Sequence, residues 1–120
     1  MGRPRYEITS HTADVGLLVR GATLDELLVN GGQGLNEVLF GRQPEGRTIA
    51  RMVDVESSSV DTLLVDWLNE LLYVFEVEHL VFSRFTPETV SETHARVRCE
   101  GDTYDARLFE VTRDIKAATY

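Results

Sequence analysis

Residues 60–77 have the sequence VDTLLVDWLNELLYVFEV, which carries the strongest structural signal in the chain. Apolar side chains recur there at positions i, i+1, i+4 and i+5, namely Leu63, Leu64, Trp67, Leu68, Leu71, Leu72 and Phe75. Acidic residues fall on the opposite side, at Asp61, Asp66, Glu70 and Glu76. This spacing predicts an amphipathic helix, which begins after the candidate N-cap serines at 57–59.

The apolar surface of this helix is wider than a single stripe, because Val65, Tyr73 and Val74 add to it. A helix that is apolar over most of its circumference is usually covered on more than one side. We therefore expect neighbouring elements to pack on several of its faces. The alternative is that part of the apolar surface binds a partner.

A second helix is predicted upstream, where Thr23 and Glu26 form the pattern of a capping box. Six apolar residues then share one helical stripe, namely Leu24, Leu27, Leu28, Leu35, Val38 and Leu39. The segment also contains Gly31, Gly32 and Gly34, and each interior glycine costs about 1 kcal/mol relative to alanine. These glycines either allow a neighbouring element to pack closely or mark a break in the helix.

Alternation of apolar and polar residues predicts strands on both sides of the helices. The predicted strands cover residues 6–9, 17–20, 48–56, 80–85, 93–100 and 115–120. Pro87 is expected to end the fourth strand, and Gly101-Asp102 is expected to form a turn. The order β-β-α-β-α-β-β-β predicts an α+β fold, with two helices packed on a largely antiparallel or mixed sheet. A length of 120 residues fits a single domain.

The composition narrows the functional classes. Twenty acidic and twelve basic residues give a net charge of −8, which disfavours direct binding to a phosphate backbone. No apolar run reaches the roughly 20 residues of a membrane span, and no signal-peptide core follows residues 1–5. We therefore expect a cytoplasmic protein without a membrane partner.

The single cysteine, Cys99, cannot form an internal disulfide and is predicted to be a core strand residue.

Two parts of the sequence are candidates for chemistry. The loop at 10–16 places His11 and Asp14 between two predicted strands, and loops of this kind often carry function. Asp14 can equally be a turn residue, and His11 can simply fix the loop by hydrogen bonding. Lys116 is the only lysine beside eleven arginines. Its presence is either due to chance in an arginine-rich composition, or this position requires a compact ammonium group.

Other motifs are weak. The serines at 57–59 are explained by helix capping, and no nucleophile elbow or zinc-protease motif is present. His79 follows the long helix, where a cation suits the helix dipole, and His94 is predicted to be an exposed strand residue. A hard cation requires about six oxygen ligands, so Asp14 alone is too little for a metal site.

Three segments together resemble the signature blocks of the archease family. They are His11-Thr12-Ala13-Asp14-Val15-Gly16, the stretch from Leu63 to Tyr73, and Ile115-Lys116-Ala117-Ala118-Thr119-Tyr120. Their order and spacing match the family over nearly the whole chain. The resemblance implies a small non-catalytic activator of the RtcB-type, GTP-dependent RNA ligase of tRNA splicing. Such activators promote guanylylation of the ligase and its turnover.

The resemblance also implies roles for individual residues. Asp14 resembles the family's N-terminal metal-binding aspartate, for a divalent cation with calcium as the candidate. Lys116 resembles the family's functionally required lysine, and His11 belongs to the same implied activation site as Asp14. The family's second metal-binding aspartate lies in a final strand beyond the position of Tyr120. We therefore expect an archease-like domain over 1–120 that lacks this strand, so that either the sequence is a truncated form or the metal site is incomplete.

Two other functional classes remain open at this point. A metal-dependent hydrolase of a phosphorylated small molecule would require a further acidic ligand near Asp14 and turnover by the isolated protein. A chaperone-like interaction module would use the broad apolar face of the second helix. Its binding would survive loss of both Asp14 and Lys116.

Overall fold

Two helices lie against one face of a three-stranded sheet in the computed structural model, which describes residues 3–10 and 15–119. The elements in chain order are β1 (Tyr6–Ser10), β2 (Val15–Val19), α1 (Leu24–Phe40), β3 (Ile49–Glu56), α2 (Val60–Tyr73), β4 (Leu80–Val90) and β5 (His94–Thr103). The sheet has the order β3-β5-β4, and β1 pairs with β2 in a separate antiparallel hairpin. The α+β fold with two helices is confirmed, and the strands form two antiparallel sheets.

The core lies between the helices and the inner face of the three-stranded sheet. Val53 and Val55 of β3 pair with Val97 and Ala95 of β5, and all four side chains are buried. Cys99 follows in the same alternation and is fully buried, so its predicted place in the core is confirmed. Burial raises the pKa of the Cys99 thiol to about 12, which leaves it protonated and inert at neutral pH.

The start and end of α1 follow the expected capping chemistry. The Thr23 hydroxyl accepts a hydrogen bond from the Glu26 backbone N–H at 3.1 Å, which confirms Thr23 as the N-cap. At the other end Gly41 adopts φ 70°, and its N–H donates to the Glu37 carbonyl at 2.9 Å. A left-handed residue at this position is typical of helix termination and favours glycine.

The three glycines inside α1 allow close packing against three neighbouring elements, and the helix continues through them. A methyl group built on Gly31 would lie 2.8 Å from Cδ1 of Leu64 in α2. One built on Gly32 would lie 2.7 Å from the ring of Phe85 in β4, and one on Gly34 would lie 2.9 Å from Leu17 in β2. Of the two expectations stated for these glycines, close packing is therefore confirmed.

The different neighbours of Gly31 and Gly32 predict different costs for the same substitution. Gly32→Ala is expected to lower the free energy of unfolding by about 1–2 kcal/mol, because overpacking outweighs the gain in helix propensity. The Phe85 ring is buried against Trp67 and cannot easily yield. Gly31→Ala is the matched control, since only the flexible end of half-buried Leu64 has to move. Urea unfolding of both variants tests this, and equal stability losses would contradict it.

The helix α2 is covered on most of its circumference, as its wide apolar surface predicts. Ser59 caps it, accepting a hydrogen bond from the Thr62 N–H at 3.4 Å. After Tyr73 the chain continues as a π-helical turn, Val74–Glu78, which closes at His79 in a left-handed conformation with φ 57°. The large apolar side chains that are exposed on this helix and turn are Tyr73 and Val77, with exposed fractions of 55% and 56%.

Three local expectations from the sequence are wrong. Pro87 does not end a strand, because β4 continues to Val90 with a register shift between Pro87 and Thr89. Gly101 and Asp102 do not form a turn but belong to β5. The predicted last strand is also absent over the described residues 115–119, which have no regular secondary structure.

Candidate functional site

The sequence predicts a site from His11, Asp14 and Lys116, and the structure describes one of these residues. His11 and Asp14 lie outside the described residues. Lys116 lies in the segment 104–119, here called the C-terminal tail, and its side chain is exposed. It forms no hydrogen bond or ion pair with any residue that the structure describes.

The C-terminal tail begins on the aromatic end of the core. The Tyr104 N–H donates to the His79 carbonyl at 2.6 Å, and the Tyr104 ring stacks on Phe40 at 6.0 Å between centroids. Phe109 contacts the same Phe40 ring edge-on at 5.7 Å. Its own ring lies 4.5 Å below the guanidinium carbon of Arg42. These aromatic contacts fix the first part of the tail without regular secondary structure.

The middle of the tail is attached to the end of α1. The Thr112 N–H donates to the Leu39 carbonyl at 2.7 Å, and the Thr112 hydroxyl donates to the same carbonyl at 3.1 Å. Carbonyls in the last turn of a helix have no partner within the helix. Thr112 thus satisfies one of these carbonyls while anchoring the tail four residues before Lys116.

The end of the tail is attached to α2 through one side chain. The Asn69 Nδ2 donates to the Ala118 carbonyl at 3.0 Å, and the Ala118 N–H donates to Asn69 Oδ1 at 2.6 Å. Ile115 and Ala118 are half-buried and pack against the core. The stretch Leu63 to Tyr73 and the stretch that contains Lys116 are therefore neighbours in space.

A cavity of about 500 Å³ lies between the tail and the loop after α1. Tyr104, Leu108 and Phe109 form apolar parts of its lining, and Asp102 and Asp105 supply carboxylates. Hydrogen bonds from Arg107 hold the pKa of Asp105 below its ordinary value. The cavity shares its aromatic wall with the contacts that fix the tail.

The described residues do not supply a metal site. No group of three His, Cys, Asp or Glu side chains within residues 3–10 and 15–119 is arranged to hold a metal ion. The carboxylate of Asp66, on the polar side of α2, accepts a hydrogen bond from the Ser57 hydroxyl at 2.6 Å. The donor set expected for a divalent cation such as calcium is thus not provided by this part of the chain, and the role of Asp14 stays a prediction.

Sequence reasoning missed the two side chains that hold the tail, Asn69 and Thr112. Asn69 gives a weak signal, since asparagine is a poor helix former in the middle of a strongly helical stretch. No local pattern shows that its partner is the backbone of Ala118, 49 residues away. His94 was expected to be exposed; it lies in a strand as predicted, but is half-buried with Nε2 at 2.8 Å from the Asp54 carboxylate.

Membrane insertion of a helix has no support in this part of the molecule. Neither α1 nor α2 combines the length and the apolar character that crossing a lipid bilayer requires, and the same holds for every other helix among the described residues.

Comparison with known proteins gives consistent matches over nearly the whole chain. The family model described as the Archease protein family matches residues 6–120. The chain is similar to the protein archease of Methanosarcina acetivorans, with 35% identity over 97% of this chain and 82% of the relative. The archease of Methanosarcina barkeri is 32% identical over the same shares. That of Pyrococcus furiosus is 29% identical over 97% of this chain and 84% of the relative.

Proposed function

This chain belongs to the archease family, and we propose that it is a protein cofactor of an RtcB-type, GTP-dependent RNA ligase of tRNA splicing. In this proposal it promotes guanylylation of the ligase and its turnover, acts in the cytoplasm and does not itself catalyse ligation. The observation that carries the proposal is the presentation of Lys116. Its ammonium is exposed on a tail that is anchored on both sides, by Thr112 and by Ala118.

The chemistry that Lys116 can supply is electrostatic. Guanylylation transfers GMP from GTP to the ligase and releases pyrophosphate, so negative charge develops on the phosphate oxygens. A positioned ammonium stabilises such charge most when it is fixed in advance and shielded from water. We propose that the ligase surface supplies the shielding and that this protein supplies the fixed ammonium.

Asp14 is the second proposed contributor, with His11 beside it in the sequence. A carboxylate at this position is proposed to act on the metal ions of the ligase or to hold one divalent cation, calcium being the candidate. No group of three further His, Cys, Asp or Glu ligands lies within residues 3–10 and 15–119, so no step of the proposed mechanism is routed through a bound cation. The net charge of −8 supports a protein partner over direct contact with RNA.

The test is a guanylylation assay of the cognate ligase with radiolabelled GTP, with and without this protein. The protein is expected to accelerate formation of the covalent ligase–GMP adduct by about tenfold or more, equal to about 1.4 kcal/mol of activation free energy. Asp14→Ala is expected to abolish this acceleration while the circular dichroism spectrum stays unchanged. Equal rates with and without the wild-type protein would refute the proposed function.

A further inference from the structure

We infer that Asn69 is a positioning residue, which fixes the end of the C-terminal tail on α2 and thereby sets the location of the Lys116 ammonium. The inference rests on the proposed function of Lys116. It assigns a role to a side chain in a different element, 47 positions earlier in the sequence than Lys116.

The contact between Asn69 and Ala118 is specific to a carboxamide. The side chain of asparagine carries an N–H donor and a carbonyl acceptor, and here both are used on the N–H and carbonyl of one residue, at 2.6 and 3.0 Å. In an antiparallel sheet, the N–H and the carbonyl of one residue are bonded by the neighbouring strand in a similar way. Two hydrogen bonds to a single residue restrict its rotation as well as its distance. Asn69 therefore fixes the orientation of the chain at Ala118.

Fixing Ala118 also restricts the position of Lys116, because Lys116 is only two residues before it. Two residues of chain span at most about 7 Å, so the Lys116 backbone cannot move far from Ala118 while the contact holds. On the other side, Thr112 holds the tail to the Leu39 carbonyl, and half-buried Ile115 packs against the core. Lys116 thus lies between two anchors. Loss of the Asn69 contact would leave the side after Lys116 held only by the packing of half-buried Ala118, without the two hydrogen bonds that fix its orientation.

A purely structural role for Asn69 makes a different prediction from a positioning role. If Asn69 only stabilises the fold, its loss would lower stability and would leave the action of Lys116 unchanged in the folded protein. If Asn69 acts through Lys116, the effects of changing the two residues would not multiply. A double-mutant cycle distinguishes the two cases.

The experiment compares Asn69→Ala, Lys116→Arg and the double variant in the guanylylation assay. Asn69→Ala is expected to lower the stimulated rate about tenfold, since small misplacements of a reacting group have effects of this size. The double variant is expected to stay within about twofold of Lys116→Arg. The matched control is Asn30→Ala, because Asn30 also bonds a backbone carbonyl, that of Arg20 at 2.7 Å, and is part of α1. This control is expected to keep the stimulation.

A second measurement tests the contact without the ligase. Amide hydrogen exchange of the full chain is expected to show lost protection at Ala118 in Asn69→Ala and unchanged protection in Asn30→Ala. The inference is overturned if Ala118 exchanges equally in the wild type and in Asn69→Ala. It is also overturned if Asn69→Ala stimulates like the wild type or if the two effects multiply. Failure of the proposed function is distinguishable, because the wild-type protein itself would then give no stimulation.

Discussion

Trp67→Ala is expected to lower the free energy of unfolding by about 4 kcal/mol, within the range for truncation of a large buried aromatic side chain. Trp67 is fully buried in α2, and its ring contacts Phe85 of β4 edge-on at 5.8 Å. Its indole N–H donates to the Leu28 carbonyl of α1 at 2.9 Å. The side chain therefore connects both helices and the sheet, and its removal leaves a cavity where the three elements meet.

Two further variants separate the contributions of this side chain. Trp67→Phe keeps an aromatic ring but removes the indole N–H, and a loss of about 1.5 kcal/mol is expected from the hydrogen bond and the smaller volume. Tyr73→Ala is the control on the same helix, since Tyr73 is 55% exposed, and it is expected to cost no more than about 1 kcal/mol. Trp67 is the only tryptophan, so its substitution removes the usual fluorescence signal. Denaturant unfolding should therefore be followed by circular dichroism. A loss below that of the control in Trp67→Ala would contradict this account of the core.

The helices could be predicted from the sequence because their signals are local. The spacing of apolar residues in α2 and the serines before it are properties of a single stretch of chain. Capping by Thr23 likewise depends on Glu26, only three residues away. Signals of this kind require no knowledge of the partner element.

Two of the three wrong expectations concern a glycine or a proline whose role depends on pairing with a neighbouring strand. A methyl group on Gly101 would lie 1.9 Å from the Val81 carbonyl oxygen, so this glycine permits close strand approach and does not mark a turn. Pro87 is tolerated within β4 because β4 is an edge strand with an irregular register at this point. In both cases the pairing of β4 with β5 decided the outcome.

The sequence and the family resemblance predict the residues of the candidate site, and His11, Asp14 and Lys116 stay a prediction, since the structure describes only Lys116 among them. The resemblance identified Lys116 as a residue of interest, and its exposure agrees with a role toward a partner. The expected strand at 115–120 is replaced, over the described residues, by a tail that Asn69 and Thr112 hold. These attachments connect side chains to distant backbone groups, which leave no periodic pattern in the sequence.

Lys116→Arg is expected to lower the stimulated rate of ligase guanylylation about tenfold, although the positive charge is retained. Lysine carries a compact ammonium on a flexible chain, whereas arginine carries a planar guanidinium with a fixed fork of donors. The two groups cannot occupy the same place among phosphate oxygens. The fold should be unaffected, with stability within about 0.5 kcal/mol of the wild type, because the side chain is exposed.

The matched control for Lys116→Arg is Arg107→Ala, which removes a positive charge from the same tail. Arg107 is 89% exposed and pairs with Asp105, so its loss is expected to leave stimulation within about twofold, as for a screened surface charge. A rate that falls equally in both variants would mean that stimulation is no more sensitive at Lys116 than elsewhere on the tail, and it would contradict the geometric role of the Lys116 ammonium. A rate that falls only in Lys116→Arg would instead require a geometric role. Such a role depends on the tail being held in place, and this connects the chemistry of Lys116 to the anchors at Thr112 and Asn69.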